Sequence, residues 1–91
     1  MRSLNVLILE DHPFQLMALH QMLNANGVFN VMTAETVEAA RQSLASKGSV
    51  DIAICDLYLE QGDALELIRE LGERRQAQVL TLLSSAQPDV L

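Results

Sequence analysis

Ninety-one residues with a net charge of −6, from twelve acidic and six basic side chains, make one domain at most. The acidic excess argues against a nucleic-acid groove, which demands clustered Lys and Arg, and the one tight basic pair, Arg74-Arg75, reads as a solvated helix end. At 49% hydrophobic and 20% charged the composition is globular, and no apolar stretch approaches the length of a membrane span.

The apolar pattern alternates between short runs and helical periodicity. Residues 4–9 read as a strand whose near-continuous apolarity suits a sheet covered on both faces. Glu10-Asp11-His12-Pro13 is a turn, with Pro13 suited to the first position of a helix. That helix runs from about Phe14 to Asn26, with Leu16, Leu19, Met22 and Leu23 on one inward stripe, and Asn26-Gly27 stops it. Val28 to Thr33 is a weaker strand, nearer an edge. Thr36 is the expected N-cap of a second helix through Ser46, with Val37, Ala40 and Leu44 inward and Lys47-Gly48 at its end. Residues 51–55 form a third strand, followed by a loop from Asp56 to Gly62. Asp63 and Glu66 give a capping-box start to a third helix, in which Ala64, Leu67, Ile68 and Leu71 keep helical spacing and Gly72 lies near the end. Val79 to Leu83 is a fourth strand, and Pro88 to Leu91 opens a further helix.

Alternating strands and helices predict an α/β fold: a doubly wound parallel sheet with right-handed crossovers. Sites in such sheets form outside the carboxyl ends of the strands. Glu10, Asp11, Asp56, Ser84 and Ser85 all fall at those ends. Three clustered carboxylates repel one another, so they need a cation or a raised pKa. Oxygen ligands of this kind suit Mg²⁺ shared with a phosphate, so the residues point to phosphoryl transfer.

Each residue also has a plainer role. Asp11 could cap the first helix, Glu10 could be an exposed charge, and Asp56 could cap a turn. Ser84 and Ser85 could be ordinary loop residues. Cys55 is the sole cysteine and sits in an apolar run, so it reads as a small buried hydrophobe rather than a nucleophile. His12 and His20 have no metal-ligand spacing with each other or with Cys55. No signal-peptide pattern precedes the first strand, which makes the cytoplasm the expected location.

The segments "NVLILED", "DIAICDLYL", "GDALELIREL" and "VLTLLSS" come in an order and spacing that resemble the receiver domain of two-component response regulators. The likeness runs along nearly the whole chain, residues 1–91. It implies a CheY-like, flavodoxin-like fold with strand order 2-1-3-4, the fifth strand lying outside these residues. It implies that Asp56 is the phosphoacceptor, taking a phosphoryl group from a sensor histidine kinase or a phosphotransfer protein, so that the chain is an acceptor rather than an enzyme. By the same resemblance Asp11 is a direct Mg²⁺ ligand with Glu10 beside it acting through water. The carbonyl of Tyr58 is the backbone ligand, and Ser84, or Ser85 if the register shifts by one, meets the phosphoryl oxygen. The opening "LILEDHPFQ" is similar to receivers that precede cyclic-di-GMP phosphodiesterase domains, which implies an output domain of that kind.

Three departures stand against the family pattern. The family's lysine at the end of a fifth strand has no counterpart, because the sole lysine, Lys47, ends a helix at the wrong edge. The switch aromatic of that strand is absent as well. The loop after Asp56 is short and lacks a proline. Without a fifth strand, the fourth would be an apolar edge, which predicts a longer protein, a homodimer or a short variant. The alternative function is a receiver-like protein-interaction module that is not phosphorylated. A phosphatase-like enzyme is disfavoured by Tyr58 standing where a second aspartate would be needed. A nucleotide-binding domain is disfavoured because no Gly-rich phosphate loop follows the first strand.

Overall fold

The structure is a computed structural model that describes residues 4–47, 50–56, 59, 64–73 and the backbone of 78–82. The elements are β1 (Asn5–Leu9), α1 (Pro13–Ala25), β2 (Asn30–Ala34), α2 (Val37–Lys47), β3 (Ile52–Asp56), α3 (Ala64–Glu73) and β4 (Gln78–Leu82). All strand pairs are parallel, in the order β2-β1-β3-β4. The expected α/β fold and strand order are therefore observed, with β2 at an edge.

The sheet is apolar on both faces, as the unbroken hydrophobic runs require. Side chains alternate along each strand, so neighbouring residues serve opposite layers. Leu7, Leu9, Ala53 and Cys55 pack with Ala34, Val37, Ala40, Leu44, Val50, Ala64, Leu67 and Leu71 in one core layer, which takes in α2 and α3. Val6, Ile8 and Ile54 face the other way, against Leu16, Leu19 and Leu23 of α1 and Val28, Val31 and Ile52. Burying each large aliphatic side chain is worth about 1.5–3 kcal/mol, so these layers carry most of the favourable free energy of folding.

Local signals fix the helix ends. Pro13 occupies the first turn of α1, where its missing N–H costs nothing. Asn26 is the C-cap, and Gly27 takes a positive φ of 83°, a conformation that disfavours a Cβ. In α2 the Thr36 hydroxyl oxygen accepts the Ala39 N–H at 3.0 Å, the expected cap. Helix α3 runs from Ala64 to Glu73, with Gly72 near its end as expected. Asp63, half of the expected capping box, lies outside the described residues.

One inward assignment is corrected. Leu16, Leu19 and Leu23 do pack inward, but Met22 is 60% exposed. Helix α1 has apolar residues on every side and no Lys, Arg, Asp or Glu, so its periodicity does not single out the buried stripe. Phe14 and Met17 are exposed on the same helix, and none of its residues is fully buried.

Candidate metal and phosphoacceptor site

Parallel register brings the acids together. Leu9 pairs with Cys55, so the next residues, Glu10 and Asp56, stand side by side at the carboxyl ends of β1 and β3. By alternation they continue the rows Val6-Ile8 and Ile52-Ile54, which face α1. Asp11 follows in the turn. One carboxylate oxygen from each of Glu10, Asp11 and Asp56 lies within 4.8 Å of the other two. Glu10 and Asp56 are each only 1% exposed, and Asp11 is half-buried.

The structure thus corrects two plainer readings. Glu10 is not an exposed surface charge. Asp11 is not the N-cap of α1 either: that position belongs to His12, whose side chain makes no cap hydrogen bond. Pro13 in the first turn is the sequence signal that already marks its predecessor as the cap. His12 is exposed, as expected of a loop residue.

Glu10 links several elements. Its N–H donates to the Ala34 carbonyl at the end of β2 (2.9 Å). Its Oε1 accepts the His12 N–H at 3.0 Å. Its carboxyl also hydrogen-bonds Asp56. Burial pushes the Glu10 pKa up from 4.5 to about 7; the His12 N–H opposes that rise, while the hydrogen bond and negative charge of Asp56, with the charge of Asp11, add to it. A buried carboxyl that holds its proton to near neutrality, with two further acids beside it, marks a site short of positive charge.

A divalent cation fits that deficit. The donors are all carboxylate oxygens, the set preferred by a hard ion such as Mg²⁺. Mg²⁺ holds its oxygens at about 2.0–2.1 Å, and the three carboxylates, within 4.8 Å of one another, are near enough to serve one ion with waters completing the shell. Of the other predicted ligands and partners, Tyr58, Ser84 and Ser85 lie outside the described residues. Cys55, next to Asp56, is fully buried on the opposite face, and burial lifts its thiol to about 11, so it stays a protonated core residue.

A family model for the response regulator receiver domain matches residues 6–90, and the chain belongs to that family. Among curated relatives, the chain is similar to the cyclic di-GMP phosphodiesterase RocR of Pseudomonas aeruginosa, with 35% identity over 97% of this chain and 22% of RocR. It is also similar to the two-component response regulator PprB of Pseudomonas aeruginosa, with 33% identity over 79% of this chain and 26% of PprB. The chain therefore spans about a quarter or less of the length of either relative. The MaeR response regulator bound to beryllium trifluoride superposes with a TM-score of 0.80 at 26% identity, covering 91% of this chain and 69% of that one. Among the described residues, no helix is long and apolar enough to cross a membrane.

Proposed function

We propose that the chain is the phosphoacceptor receiver of a cytoplasmic two-component system, taking a phosphoryl group on Asp56 from a sensor histidine kinase or a phosphotransfer protein. One observation carries the reading: Glu10, Asp11 and Asp56 converge within 4.8 Å at the carboxyl edge of the sheet, with Asp56 buried. Such an acid array serves no obvious packing purpose, whereas phosphoryl transfer requires a held nucleophile.

A carboxylate oxygen of Asp56 attacks the phosphorus, the P–N bond to the donor imidazole breaks, and that nitrogen keeps the bonding electrons and takes up a proton. The protein supplies position, because β3 fixes Asp56 at the end of a buried strand. Asp11 and Asp56 would hold Mg²⁺ directly, with Glu10 acting through water and the Tyr58 carbonyl as a further ligand. When bound, the ion supplies positive charge that offsets the phosphoryl oxygens. Ser84, or Ser85 in the alternative register, would donate to a phosphoryl oxygen. The chain is the acceptor, not an enzyme. Its output would be passed on by a further domain, for which a cyclic-di-GMP phosphodiesterase is the proposal that RocR suggests.

Intact mass after incubation with acetyl phosphate and Mg²⁺ tests the reading. One added phosphoryl group on the wild-type chain, absent from Asp56→Asn and absent with EDTA, is the expected result. The second reading is a receiver-like interaction module without phosphorylation. No phosphoryl gain in a full-length protein would leave that second reading standing.

A further inference from the structure

We infer that Glu10 is a positioning residue that braces the start of α1 against the carboxylate site, coupling the site's occupancy to the exposed His12–Phe14 surface. The inference deepens the phosphoacceptor reading and rests on it for its functional meaning. The N-cap residue of α1 is held by neighbours rather than by its own side chain. His12 is extended (φ −91°, ψ 113°) and makes no side-chain cap bond. Its backbone is fixed on both sides: its N–H donates to Glu10 Oε1 at 3.0 Å, and its carbonyl accepts the Leu16 N–H at 2.9 Å. Glu10 thus performs, from two residues upstream, the backbone-satisfying task that a capping-box residue performs from within a helix.

The same carboxyl meets Asp56, and the Glu10 backbone is tied to β2 through Ala34. A side chain held at both ends cannot change one contact without loading the other. Drawing the Glu10 carboxyl toward a cation therefore pulls on the His12 N–H. The His12 ring stands against Phe14 (centroids 6.0 Å, tilted 45°), and Phe14 is 79% exposed. A shift at His12 would reach the surface within two residues. In this scheme the direct metal oxygens come from Asp11 and Asp56, and Glu10 acts through the turn.

Amide hydrogen exchange of the full chain without metal tests the brace in wild type, Glu10→Gln and Glu10→Ala. The glutamine keeps an oxygen acceptor, so His12 exchange should stay near the wild-type rate. In Glu10→Ala it should rise about tenfold or more, the factor that a lost hydrogen bond of ordinary strength carries. With Mg²⁺, the Phe14 ring resonances should shift in wild type and Glu10→Gln but not in Glu10→Ala. An unprotected His12 amide in the wild-type chain overturns the inference, as does equal His12 protection in all three proteins. Slow exchange at Ile8 reports that Glu10→Ala is folded; if it is not, wild type and Glu10→Gln decide. Absence of any Mg²⁺ response at Glu10, Asp11 and Asp56 would instead overturn the phosphoacceptor reading, since the exchange measurement needs no metal.

Discussion

Strand β3 has an acid at each end, and the two lead opposite lives. Asp51, just before the strand, is half-buried; its Oδ2 accepts the Asn5 N–H at 2.8 Å while its own N–H donates to the Asn5 carbonyl at 2.8 Å. It stitches the start of β3 to the start of β1. Asp56, at the other end, is buried and faces Glu10 and Asp11. One carboxylate is met by a backbone donor, and the other stands among further carboxyl groups. An acid at a strand end therefore carries no functional meaning by itself; its company decides. Folding is helped by the first arrangement and merely tolerates the second, which gathers negative charge at one buried edge.

The largest test of that contrast is chemical. Asp56→Asn should abolish phosphoryl gain from acetyl phosphate, read by intact mass, whereas Asp51→Ala should leave it at the wild-type level. Phosphoryl gain on Asp56→Asn would break the comparison at its root. Next in size is metal affinity. Asp11→Asn should weaken Mg²⁺ binding at least about tenfold, measured by titration of amide resonances, because metal sites of this type lose roughly 10–100-fold on loss of one well-placed partner. Asp51→Ala should not change it.

A smaller effect lies in pH dependence. Glu10 titrates near 7 in the folded chain against 4.5 when unfolded. The folded state holds this proton more tightly, so the contribution is fully present below about pH 4.5 and is lost as pH rises through about 7. Metal-free stability should thus fall across that window by on the order of 3 kcal/mol, since one pKa unit is worth about 1.4 kcal/mol. Glu10→Gln should flatten the slope. Mg²⁺ should raise the melting temperature more at pH 8 than at pH 5.5, because it competes with that proton. A metal-free stability that rises between pH 4.5 and 7, or the same slope in Glu10→Gln, would contradict the placement of Glu10.

Much of this was legible in the sequence, for local reasons. Apolar runs of strand length, Thr36 as a cap, and Asn26-Gly27 as a stop depend on neighbours a few residues away, and each matches the structure. The meeting of Glu10 and Asp56 was legible because parallel strands of equal polarity must end at the same edge. Exposure of Met22 was not, since α1 is apolar on all sides and only tertiary packing chooses the buried stripe. Nor was the Glu10–His12 bond, which depends on the path of one turn. Pro13 identified His12 as the cap residue, but no residue pattern says which upstream carboxyl reaches back to its N–H. The roles of Tyr58, Ser84 and Ser85 rest on the family pattern alone.

The smallest prediction separates the two acids by sign. Asp51→Ala removes the acceptor of the Asn5 N–H at a partly exposed site, which should cost about 1 kcal/mol, the net worth of an ordinary hydrogen bond. Asp51→Asn should cost less, because its amide oxygen can accept the same N–H. Asp56→Asn should move the other way in metal-free protein near pH 8, raising stability by on the order of 1 kcal/mol, because it removes one of the negative charges that crowd Glu10. Urea midpoints at fixed slope measure all three. If Asp56→Asn destabilises the metal-free chain as Asp51→Ala does, then Asp56 is also a structural stitch, and the buried carboxylates are better compensated than their geometry indicates.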